Sequence, residues 1–281
     1  LVLSTISLMI PMSLLTQKGY HSLWVWPILL IAIFFIVNFI ITNRQATHPI
    51  VHFHTLFSKK PFVGATMAIS SHLTLLTGIA GINVYIVRIL KLPFDISLHF
   101  YFFFFVGVII TGILKMFFYS SVGAGFLGTL GSSALLYVSI HWIILGNTIN
   151  IPLLYIQGLL LGFGASMTLV SGSMATLLDG DLKEAAQRSQ TMHTIRNFSA
   201  AMLIPIIAYT IKNHIQKGTQ SIYAENITDK MIFLKKLQDV AIDADHQIFL
   251  LMIIFNMVMF VSSIIQMILG KGRRITPPRE S

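Results

Sequence analysis

Long apolar stretches separated by short polar ones run the whole length of this chain. The apolar stretches cover Leu1 to about Thr16, Leu23 to Ile41, Pro61 to Leu90 and Ile96 to Phe118, the last containing the run Phe102–Phe105. Four more cover Gly123 to Leu145, Ile151 to Leu178, Thr194 to Ile211 and Ile248 to Leu269. A helix needs about 20 apolar residues to cross a bilayer, and most of these segments have that length. None alternates apolar and polar residues with period two, which argues against a β-barrel. The pattern predicts an all-α polytopic membrane protein with eight spans, the first of them short.

Composition sharpens this picture. Of the 281 residues, 55% are hydrophobic and only 10% are charged, and the mean hydropathy is +0.79. Soluble domains carry about 25% charged residues, so a soluble globular fold is excluded. The formal charge of +9 points to basic loops on the cytoplasmic side rather than to nucleic-acid binding. With no cysteine there is neither a disulfide nor a thiolate site. The chain starts at Leu1, inside an apolar stretch, and the expectation is a portion of a longer protein.

Basic residues orient the spans. The tail Lys271, Arg273, Arg274 and Arg279 predicts a cytoplasmic C-terminus, which places Arg44, Lys59, Lys60, Lys115, Lys183 and Arg188 inside. Lys18, Arg88 and Lys91 then fall in outer loops, together with a long loop from Lys212 to His246 that carries five lysines. Within that loop Phe233, Leu237, Val240 and Ala241 share one helical face, which predicts a short helix on the membrane surface. Asp181-Leu-Lys-Glu184 fits a capping box opening the seventh span. Asn226-Ile-Thr228 matches a short glycosylation sequon. Trp24, Trp26, Trp142 and Tyr155 fall near predicted span ends, as an aromatic belt requires.

Polar residues inside spans are costly and therefore informative. The acids Asp95, Asp179, Asp181, Glu184, Glu225, Asp229, Asp239, Asp243, Asp245 and Glu280 all fall in loops, at span edges or in the tail. A coupling carboxylate is therefore expected outside this chain. His72, about ten residues into the third span with Ser70, Ser71, Thr74 and Thr77 around it, reads as a cavity or proton-handling group, or as a histidine bonded to a neighbouring helix. Asn83 lies farther along that span. Gln157 in the sixth span fits a cavity wall or an interhelical hydrogen bond. Arg196, beside His193 and Asn197, fits a structural anchor or a gating cation. His48 and His52 have metal-ligand spacing, with His54 nearby, but no acid or cysteine completes a shell. Gly125, Gly128, Gly131, Gly158 and Gly162 read as points of close helix approach.

Two stretches carry a resemblance. The first is His48-Pro-Ile-Val-His-Phe-His-Thr-Leu-Phe-Ser-Lys-Lys-Pro-Phe62; the second runs from Ile156-Gln-Gly158 through Gly162 and Gly164 to Arg196. Their order resembles the fourteen-helix drug:proton antiporters of the major facilitator superfamily, the EmrB/QacA group. There a Pro-Ile-Val, Leu-Phe and basic run precedes the C-terminal bundle, and an Asn-x-x-Arg follows a Gly-rich helix. Arg196 falls on that arginine, whereas His193 stands where the asparagine is usual. The region Lys115 to Gly125 lacks the family's Gly-Arg loop pattern.

The resemblance implies residues 1–60 as two linker transmembrane helices with a cytoplasmic loop. Residues 61–270 would be a C-terminal six-helix bundle with a periplasmic loop at 212–246, and residues 271–281 a cytoplasmic tail. It implies a proton-coupled exporter of drugs or small lipophilic compounds in the inner membrane, working by alternating access, with no enzyme activity and no cofactor. Its partners would be the lipid bilayer, protons, a small-molecule substrate and an N-terminal six-helix bundle carrying an intramembrane acid. A periplasmic adaptor and an outer-membrane channel are further partners of the family; nucleic acid is not. The rivals are a transporter of a specific metabolite or siderophore, a His-dependent membrane enzyme, and a non-transporting membrane scaffold.

Overall fold

The computed structural model of the chain describes residues 2–19, 22–46, 49, 51–179, 182–225 and 229–271. The fold is all-helical. Its helices are α1 (Val2–Lys18), α2 (Val25–Gln45), α3 (Phe53–Leu56), α4 (Lys59–Asn83), α5 (Phe94–Trp142), α6 (Ile151–Leu178), α7 (Ala185–Ala224) and α8 (Lys230–Ile268). A π-helical stretch, Val84–Ile89, continues α4. Six of these helices are long and apolar enough to cross a membrane, and α1 carries a shorter apolar stretch, Ile6–Leu15.

The helix α5 has 49 residues, and a straight helix of that length would span about 74 Å, more than twice a bilayer core. It does not run straight. Gly123 takes φ 82° and ψ 171°, a backbone that side-chain-bearing residues rarely adopt. Before it, Phe100, Phe104 and Lys115 meet Gly158, Gly162 and Ser166 in ascending order, so this limb, α5a (94–122), runs parallel to α6. After it, Gly131 meets Met167 and Trp142 meets Gln157, in descending order. This limb, α5b (124–142), is therefore antiparallel to α6, and the chain reverses at Gly123. The predicted fourth and fifth segments are the two limbs, and the polar stretch between them is helical almost throughout rather than a loop.

The same register argument orients the remaining helices. Contacts of Gly64 with Gly172 and of Gly78 with Leu161 set α4 antiparallel to α6. Gly78 on Met252, Gly81 on Phe249 and Ser263 on Met67 set α4 antiparallel to α8. Gly125 on Met267 and Ser139 with Asn256 set α5b antiparallel to α8. Two helices are central: α4 packs on α6, α7 and α8, while α6 packs on α4 and both limbs of α5. At the edge, α2 packs on α1 and α1 on α7.

One end of the bundle gathers the Gly123 turn, the end of α6, the start of α7 and the end of α8. There Arg188, 1% exposed, donates from Nε to the Thr176 carbonyl (2.9 Å) and from Nη2 to the Leu177 carbonyl (2.8 Å). A cation read as a loop charge thus satisfies the free carbonyls closing α6. Asp181, the expected cap of the seventh span, lies outside the described residues; the helix opens after a 3₁₀ turn, Leu182–Glu184, with Glu184 3.7 Å from Arg188. Asn43 exchanges two hydrogen bonds with the Val51 backbone and holds the chain leaving α2.

The opposite end differs most from expectation. Most of the predicted outer loop from Lys212 to His246 is helix, because α7 continues to Ala224 and α8 begins at Lys230. The face with Phe233, Leu237, Val240 and Ala241 is the start of α8, and Val240 packs on Gly218 of α7 instead of lying on the membrane. The sequon at Asn226–Thr228 lies outside the described residues. Trp142 is not a belt residue: it is fully buried, bonded to Gln157 and packed between Phe100 and Phe249. Trp24 and Trp26 remain exposed.

Candidate functional site

The helix α4 turns one side toward α6 and another toward α7, and the two sides differ in chemistry. Toward α6, Ser71 bonds the Ala165 carbonyl (3.1 Å) and the Thr168 hydroxyl (2.6 Å). Thr77 returns its hydroxyl to the carbonyls of Leu73 and Thr74. These serines and threonines are packing groups, not a polar shell around His72. His72 is half-buried and lies within electrostatic reach of Arg196 on α7. His193, one turn before Arg196, completes the cluster.

Arg196 is half-buried, and its Nε is enclosed without a hydrogen-bond partner. Among the described residues no carboxylate pairs with it. Asn197, next along the helix, is exposed, and α7 buries only 11% of its apolar window, against 56% and 50% for α4 and α6. A guanidinium flanked by two imidazoles with no acid is an anion-accepting arrangement. It stands on a helix far less covered than α4 or α6.

The other two residues singled out from sequence lie elsewhere. Gln157 is fully buried; its Oε1 accepts from Trp142 Nε1 (2.8 Å), and its Nε2 meets His141 Nδ1 at 2.9 Å. It joins α5b to α6. Asn83, half-buried at the end of α4, lies against the Tyr101 hydroxyl of α5a. The structure therefore groups His72 with Arg196 and leaves Asn83 and Gln157 apart. Of the three histidines weighed as metal ligands, His48 lies outside the described residues; the rings of His52 and His54 are 6.4 Å apart, and the His52 backbone N–H donates to Thr191. The glycines behave as expected: a Cβ on Gly162 would lie 1.9 Å from the Phe104 carbonyl oxygen.

One acid is buried where sequence reasoning expected a loop. Asp245, three residues before the eighth predicted span, lies within α8, is 1% exposed, and neither carboxyl oxygen has a hydrogen-bond partner among the described residues. The Tyr85 ring, in the π-helical stretch, is its nearby polar neighbour, and the Tyr85 hydroxyl donates to the Gly146 carbonyl. His246, the next residue, bonds the Leu145 carbonyl through Nε2 (2.8 Å). Short π-helical stretches recur at functional sites. The only sequence signal was the apolar run that begins three residues later at Ile248. The chain matches no family model, and no curated protein matches it.

Proposed function

We propose that this chain is the C-terminal portion of a proton-coupled secondary transporter of the major facilitator type. In this reading α4 to α8, with α5 counted as two spans, form the six-helix bundle. The helices α1 and α2 are the linker pair, and the protein lies in the inner membrane with its C-terminus cytoplasmic. The observation that carries the reading is the packing scheme. Exchanging α4, α5a and α5b for α6, α7 and α8 leaves the main contacts unchanged: each first helix touches the other and also the second and third helices of the opposite set. Three spans are an odd number, so the second set starts on the other side of the membrane and each of its helices runs opposite to its counterpart. That is the logic of inverted repeats, which support alternating access around a midplane site.

The substrate is a drug or another small lipophilic compound exported against proton entry. Asp245 supports the proton coupling: with no cation and no donor at its oxygens among the described residues, ionisation and close packing of α8 on α4 oppose each other. A second reading is favoured by one observation. The unpaired Arg196 with His72 and His193 suits an organic anion, and so a specific metabolite or siderophore. Both readings are tested by accumulation assays in cells expressing the complete protein. Drug export predicts lowered accumulation of lipophilic cations that recovers when the proton gradient collapses, whereas the metabolite reading predicts movement of anions only. No movement across a broad panel of both classes would sink transport altogether.

A further inference from the structure

At the end of the bundle that holds Tyr85, the C-terminus of α1 meets α7 and leaves a groove of about 610 Å³. Its walls carry Lys18 from α1 and Lys212 and Lys217 from α7, together with the amides Gln17, Asn213, Gln216 and Gln220. No acid lines it. The Lys212 ammonium donates to the Gln17 carbonyl (3.0 Å), so part of its charge answers to the carbonyl end of α1; Lys18 and Lys217 add to it. Three cations collected on the expected outer side run against the usual distribution of basic residues. They call for a ligand rather than a topological explanation.

The height of the groove identifies that ligand. The apolar stretch of α1 ends at Leu15 and that of α7 at Ile211, and the groove begins where both end. Below Leu15, the half-buried Met12 lies one turn toward the bilayer; below Tyr209, Ile206 and Met202 lie one and two turns down the same face. A cationic, amide-lined chamber thus opens onto an apolar track. We propose that this groove binds the headgroup of an anionic phospholipid, its phosphodiester against Lys18, Lys212 and Lys217 and its acyl chains along the track. The inference is independent of what the protein transports.

Native mass spectrometry of the full chain, titrated with phosphatidylglycerol or phosphatidylcholine in detergent, tests it. A lysine near a membrane surface contributes about a fivefold factor, so three should give phosphatidylglycerol a dissociation constant lower by on the order of a hundredfold. The combined variant Lys18→Gln, Lys212→Gln, Lys217→Gln should bring the two lipids together. A charge-matched control on the exposed Lys91, Lys230 and Lys235, each to Gln, should leave the preference intact. If the triple variant is not recovered folded, Lys217→Glu alone is read in the same way. Equal binding of the two lipids by the parent chain, or an equal loss in the control, would overturn the proposal. Displacement of phosphatidylglycerol by an equal concentration of glycerol 3-phosphate would assign the site to a free anion and overturn the lipid.

Discussion

The consecutive helices α6 and α7 are held in opposite ways. The first is gripped along its length: Gly158, Gly162, Gly164 and Gly172 sit against neighbouring backbone, and Thr168 and Thr176 return their hydroxyls to their own helix. The second has buried residues only at intervals: Arg188, Thr191 and Met192 near its start, Leu203 and Ile207 midway, and Ile222 near its end. Between lipid tails apolar burial gives little drive for association, so helices hold together by close approach and hydrogen bonds. By that criterion α6 is a fixed post, and α7 is pinned at points with a polar face between them.

The contrast can be broken where it is strongest. Gly162→Leu places a side chain into the Phe104 backbone and should cost at least ~3 kcal/mol, seen as loss of monodisperse protein and a lowered unfolding midpoint. A small effect would mean that the contact is not a grip. Next in size is Arg188→Ala, which strips the carbonyls closing α6 of two charged donors and should cost ~2–3 kcal/mol, partly restored by lysine. Unfolding curves of the three proteins decide it.

Asp245→Asn has the opposite sign. The folded protein encloses the carboxyl without a donor, so ionisation above the ordinary carboxylate range should weaken folding, and the neutral amide should escape this. The variant should be ~1–2 kcal/mol more stable than the parent at pH 8, and the gap should shrink toward pH 5. A gap that does not change with pH would remove Asp245 as a proton site. The smallest effect on stability belongs to Arg196→Gln, below ~1 kcal/mol, because the guanidinium makes no partnered contact at Nε that the fold depends on. Transport should nevertheless fall. A large loss of stability with transport intact would reverse the reading of α7 and leave Arg196 a structural anchor.

The apolar pattern located most of the crossing helices, since each long apolar stretch must be covered by lipid or by another helix. It failed where helix and hydropathy part company. Gly123 reads as one glycine among several, and only the register of both limbs on α6 reveals a reversal. Beyond Ile211 the hydropathy falls while backbone hydrogen bonding continues, so two helical extensions read as a loop. The burial of Asp245 was hidden because one-dimensional hydropathy ignores the cover given by the end of α4 and by the turn after α5b. The pairing of His72 with Arg196 was hidden for the same reason: the residues are 124 positions apart by number, 196 less 72, and only the parallel run of α4 and α7 brings them together.

The burial of Trp142 has a practical consequence. The chain has three tryptophans, and the other two, Trp24 and Trp26, stand exposed on or beside α2. Replacing those two with phenylalanine leaves a single indole whose N–H is held by Gln157 between the halves of the proposed repeat pair. Its emission then becomes an optical gauge of whether α5b and α6 separate, read without any attached dye.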